Sequence, residues 1–158
     1  VSKASVIYDH KTKQALIDAL VARALARDNA FNHSAAEALG DIDARVIRGR
    51  IAAAAQPLAP RQRAVALSLC AALAQDAALR KSIQSNQGAV IAAVQRDAAQ
   101  PGKALLAYLA LEGLKLLESL DFYTFPKKER DLLLRDIAGL VDPIPLAALP
   151  TTAAKHHR

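Results

Sequence analysis

Aromatic residues make up only 4% of this 158-residue chain, and runs of β-branched residues are scarce. The material for a sheet is therefore thin, while alanine and leucine, which lose little on entering a helix, dominate. Methionine is absent, the first residue is Val1, and no signal-like stretch opens the chain. A fragment, or the ordered part of a longer protein, is expected. Cysteine occurs once, as Cys70 inside an apolar run, which excludes an intrachain disulfide and suits a small buried residue in a reducing cytoplasm. The longest uncharged stretches, 64–75 and 143–154, fall short of the roughly 18 apolar residues of a membrane span, so a soluble, cytoplasmic chain without membrane contact is expected.

Catalytic patterns are missing as well. The four histidines are His10, His33, His156 and His157, and no pair of cysteines, no His-Glu-x-x-His and no glycine-rich phosphate loop occurs. No nucleophile, base and acid assemble from this set, so neither an enzyme nor a cofactor is expected. The adjacent His156 and His157 lack further ligands at fixed spacing, so no specific metal site is expected.

What is present is one compact all-α domain, with 53% hydrophobic residues and a formal charge of +6 that makes contact with a polyanion plausible. Thr12 can cap a helix whose stripe is Leu16, Ile17, Leu20, Val21 and Leu25, and which is expected to end near Asp28-Asn29. Ser34-Ala35-Ala36-Glu37 reads as a capping box opening a second helix through Leu39, Ile42, Val46, Ile47 and Ile51. Pro60 leads into an apolar segment, and Asp76 can cap a helix reaching about Ala98. Pro101-Gly102 breaks the chain before a leucine-rich helix from Lys103 to Leu120, and Pro126 starts another through Leu132, Leu133, Ile137, Leu140 and Val141. Beyond Asp142, the prolines Pro143, Pro145 and Pro150 and the lack of periodicity predict a loose tail over 143–158.

In the leucine-rich helix, Leu106, Leu109, Gly113, Leu116 and Leu120 alternate at spacings of three and four and form one seam, with Leu105, Leu114 and Leu117 at its sides. Glycine costs about 1 kcal/mol against alanine inside a helix, so Gly113 on the seam predicts that another backbone passes close by. With Leu133, Ile137 and Leu140 of the following helix, the seam is expected to form a two-fold dimer as a four-helix bundle.

The opening residues, Val1-Ser2-Lys3-Ala4-Ser5-Val6-Ile7-Tyr8-Asp9-His10-Lys11-Thr12-Lys13-Gln14-Ala15-Leu16, resemble the end of the DNA-binding motif of TetR-type regulators. There a short recognition helix opens on valine and serine or threonine, runs into a tyrosine, and meets a Phe-x-Ser/Asn-Lys-Glu-x-Leu turn. Val1, Ser2, Tyr8, Lys13 and Leu16 match, Thr12 replaces the usual cap, and Ile7, Asp9, His10 and Gln14 depart from the pattern. A second stretch, Ala107 to Leu117 with Leu111-Glu112-Gly113-Leu114 at its centre, is similar to the penultimate helix of many such regulators, and Pro126-Lys127-Lys128-Glu129-Arg130 to the start of their last helix.

The resemblance implies a TetR-like helical bundle in which 1–28 is a remnant of the DNA-binding domain, 29–142 binds ligand and dimerises, and 143–158 is a tail. About 30 to 45 residues forming two further helices are expected before Val1. It implies a homodimeric repressor released from operator DNA by a small-molecule effector. Ser2, Lys3 and Ser5 would meet bases or phosphates, and Tyr8 and Lys13 phosphates. The effector would lie among the middle helices, with Tyr108 and Glu112, four residues apart on one face, as its polar contacts and His33 and Phe31 as weaker candidates. The alternative is a helical protein–protein interaction module that presents the leucine face and does not touch DNA.

Overall fold

A computed structural model describes residues 13–56, 73 and 76–142. Among them are five helices and no strand: α1 (Lys13–Glu37), α2 (Arg45–Ala54), α3 (Ala77–Arg96), α4 (Pro101–Ser119) and α5 (Lys127–Gly139). The short α2 is the hub, since it touches each of the other four helices. Its Ile47 and Ile51 meet Val94 of α3, Ala104, Ala107, Tyr108, Leu111 and Leu114 of α4, and Leu134 and Ile137 of α5 in one apolar cluster. Three helices thus bury their inner stripes on α2 and on one another, while α1 lies along the outside of α2.

The sequence signals at the later helices match what forms. Asp76 caps α3, its carboxylate accepting from Leu79 N–H at 3.0 Å. Pro101 stands in the first turn of α4, where its missing N–H costs nothing, and Pro126 is the N-cap of α5. At the far end of α4, Asp121 takes the left-handed conformation and Phe122 N–H returns to Leu117 O at 2.9 Å, the bond of a Schellman close.

The first two helices differ from the expectation. α1 does not stop at Asp28-Asn29, and the chain has no break between 28 and 29; it runs unbroken to Glu37. Both polar residues are held inside the helix by partners. Asn32 donates to Asp28 O at 2.7 Å and to its carboxylate at 3.0 Å, and Asn29 donates to Asn86 of α3 at 2.7 Å. Ser34 and Glu37 fall in the last turn of α1, so the capping box is not realised, and Leu39 and Ile42 lie in the connection that follows. Gly40, at φ +73°, closes that turn.

The cap of α2 comes from elsewhere. Ala44 adopts the left-handed region, its N–H bonds Asp97 O, and the Asp97 carboxylate accepts from Val46 N–H at 2.7 Å. Asp43 accepts in turn from Ala99 N–H at 2.7 Å. The start of α2 is thereby tied to the α3–α4 corner. Arg48 ties it to the end of α5, donating to Val141 O at 3.0 Å and Asp142 at 2.8 Å.

Candidate functional site

Where α1, α2, α3 and α4 meet, the core changes from apolar to polar. Arg50 stands on the inward stripe of α2, three residues after Ile47 and one before Ile51, and is only 6% exposed. Its guanidinium carbon lies 5.7 Å from the centroid of the Tyr108 ring, a cation over an aromatic face. Its Nη2 stands 3.6 Å from Asp28 of α1 and 3.9 Å from Glu112 of α4, neither within hydrogen-bond reach. Its buried Nε has no hydrogen-bond partner among the described residues.

The neighbours are better served. The Tyr108 hydroxyl donates to Gln87 of α3 at 2.6 Å. Lys115, one turn along α4, donates to Glu112 at 2.9 Å, and Asn32 donates to Asp28. Burial, then the nearby Glu112 carboxylate, pushes the Tyr108 phenol from its ordinary 10.0 up to about 12; Arg50 opposes this and Asp28 adds to it. Tyr108 is therefore a neutral donor at any ordinary pH. Two cations and two carboxylates nearly cancel in charge, yet the most buried of the four has the longest contacts.

Tyr108 and Glu112, singled out from their spacing, do lie side by side here. His33 and Phe31 are exposed on α1. Sequence reasoning missed Arg50, Asp28, Asn32 and Gln87. A signal for Arg50 existed: the core positions Ile47 and Ala54 place a residue at 50 on the same face. Nothing local marks Asp28 or Gln87, whose roles depend on helices far apart in sequence. Among the described residues no group of three or more His, Cys, Asp and Glu side chains could hold a metal ion.

The proposed seam residues Leu106, Leu109 and Leu116 are 54%, 57% and 51% exposed, Gly113 is exposed and Leu120 is half-buried. The proposed seam residues of α5 and its end are less exposed. Ile137 is buried in the core of its own chain, with Leu133 and Leu140 packed partly against it; the exposed leucine of that helix is Leu132. Ser2, Lys3, Ser5 and Tyr8 lie outside the described residues, as do Cys70, the segment after Pro60 and the tail 143–158; Lys13 is the first residue of α1.

A family model described as "Tetracyclin repressor-like, C-terminal domain" matches residues 44–142, from the cap of α2 to the residue tied by Arg48, and so more than half of the chain. The chain belongs to this TetR family. Comparison with curated proteins and with solved structures found no match. As a TetR-like C-terminal domain the matched region is regulatory in kind and all-α. No helix among the described residues is long and apolar enough to cross a membrane.

Proposed function

We infer that this chain is the ligand-sensing and dimerising part of a TetR-type repressor that binds operator DNA as a homodimer and leaves it when a small molecule binds. The observation that carries this is the family match over 44–142 together with the packing of α1 on α2, since α1 is the helix that by resemblance follows the recognition helix. A ligand among α1 to α4 would act on that junction. The energetic requirement is a ligand that binds the two arrangements of α1 unequally, because equal affinity shifts nothing.

The exposed Leu106, Leu109, Leu116 and Leu117 stripe of α4, continued by Leu132 of α5, supports a two-fold dimer. Gly113 lies within this stripe, and a Cβ built on it meets nothing within 4 Å among the described residues. No contact among the described residues asks for glycine there, which suits a position facing another backbone. The same stripe would serve a protein-interaction module, so the test must read DNA.

The test is selection from random duplexes, using the protein as its gene encodes it. A palindrome with half-sites about 34 Å apart supports the repressor. Lys13→Ala should then weaken binding to every sequence and flatten its salt dependence, as loss of a phosphate contact does. Selection that returns no common sequence, by a protein that still dimerises, favours the interaction module.

A further inference from the structure

Two arginines are buried among the described residues, and they are served very differently. Arg130 donates from Nε to Glu118 at 2.7 Å and from Nη2 to Ala54 O at 2.7 Å, which pins α5 to α4 and α2. Arg50 has the same burial without the same bonds: among the described residues its Nε is unpartnered, and its nearest carboxylates stand 3.6 and 3.9 Å from Nη2. Both acids have shorter partners of their own, Asn32 for Asp28 and Lys115 for Glu112. A buried guanidinium left short of acceptors is costly to the fold, and such a group is found where something else supplies them.

The chemistry of the missing acceptor follows from the geometry of the fork. Nε and Nη2 form one edge of the guanidinium, with two parallel N–H bonds that match the two oxygens of a carboxylate. Asp28 and Glu112 approach Nη2 from two helices, and neither comes within hydrogen-bond reach of it. The Tyr108 ring beneath the guanidinium supplies a flat apolar wall, which suits a carboxylate with a hydrocarbon body.

We propose that Arg50 is the recognition group for a small organic carboxylate, which takes the Nε and Nη2 edge and displaces Asp28. This rests on the ligand-sensing reading above and gives the ligand its class. It also gives a direction to the response. Asp28 is on α1, so an incoming carboxylate repels the acid that links α1 to α2 and removes that tie. Asp28 thus stands in for the ligand when none is bound.

The test follows the Nε–H resonance of Arg50 by NMR in the 158-residue chain, titrated with straight-chain carboxylates, benzoate and their primary amides. The expected result is a saturable shift of that resonance by the acids, with the amides weaker by about tenfold or more, as charged and neutral acceptors differ. Asp28→Asn, at a half-exposed site that tolerates the change, should tighten carboxylate binding about fivefold by removing a like charge. Arg50→Lys should lose it while keeping the charge.

Amides that bind as well as acids would overturn the carboxylate class and leave a ligand-sensing domain standing. An Nε–H that contacts a fixed water and ignores both series would overturn the proposal outright. Whether the protein senses any ligand is then decided separately, by release of selected DNA in a chemically diverse screen.

Discussion

Gly49 lies so close to Ala36 that a Cβ built on it would stand 2.6 Å from both Cα and Cβ of Ala36 and 2.7 Å from its backbone nitrogen. Here α1 packs directly on α2, and a side chain at 49 would wedge the helices apart. Alanine at 49 gains about 1 kcal/mol in helix propensity, but overpacking costs about 1 to 3 kcal/mol, and here the clash is with backbone that cannot rotate away. Gly49→Ala should therefore destabilise the protein on balance in chemical denaturation. A stabilised variant would mean that α1 yields freely at this point.

The buried pair of Arg130 and Glu118 leads to a larger effect. Arg130→Ala leaves the Glu118 carboxylate, mostly hidden from solvent, without its partner, and leaves Ala54 O without a donor. Removing one member of such a pair costs about 3 to 5 kcal/mol. The double variant Arg130→Leu with Glu118→Leu should recover much of that loss, because the stranded charge is gone. Equal stability of the single and double variants in urea melts would contradict the pairing.

Much of the fold was legible in the sequence where the signal was local. Asp76, Pro101 and Pro126 act through neighbours within one turn, and the helices they open appear where their residues place them. The capping box at Ser34 and Glu37 failed because α1 gains more by continuing, with Asn29 and Asp28 bonded from α3 and from Asn32. The true cap of α2 is Asp97, fifty-one residues away, and only the folded chain brings it there. The site was legible in half: Tyr108 and Glu112 share a helical face, while Arg50 was hidden by its charge in a stripe that otherwise reads as core. The seam pattern marks Gly113, whose surroundings are open among the described residues, while nothing local marks Gly49, the glycine that the packing requires.

Asp121 closes α4 in the left-handed conformation at φ 56°, which strains any residue with a Cβ. It is exposed, and no side-chain bond of it is part of the Schellman close. Asp121→Gly should raise stability by about 0.5 to 1 kcal/mol, after allowing for the greater freedom glycine has when unfolded. Thermal melts of the two proteins check it, and a lower melting temperature for the glycine variant would count against the backbone assignment.

Gly113→Leu fills a position that is open among the described residues of the single chain and crowded in the proposed dimer. The variant should keep the helical content of the parent and dissociate at concentrations where the parent stays paired, with about 1 to 3 kcal/mol lost per chain. Sedimentation over a wide concentration range measures it. A parent that is monomeric throughout removes the dimer.

Tyr108 gives the fold a pH dependence that its surroundings make specific. In the unfolded chain the phenol titrates near its ordinary 10.0, while in the folded chain burial and the Glu112 carboxylate raise it to about 12. Below pH 10 both states hold the proton, and the contribution of the neutral, hydrogen-bonded phenol is fully present. Between 10 and 12 the unfolded state releases its proton first, so unfolding gains and stability falls, by roughly 2 to 3 kcal/mol across the window. Tyr108→Phe should be less stable at neutral pH by about 1 kcal/mol, because Gln87 loses its donor, and should lack this alkaline decline. Lysines lose charge in the same range in both proteins, so the difference between the two urea-melt profiles isolates the phenol. Parallel profiles from pH 9 to 12 would show that the hydroxyl is not buried against Gln87 and Arg50, and the polar junction of α1, α2 and α4 would lose its centre.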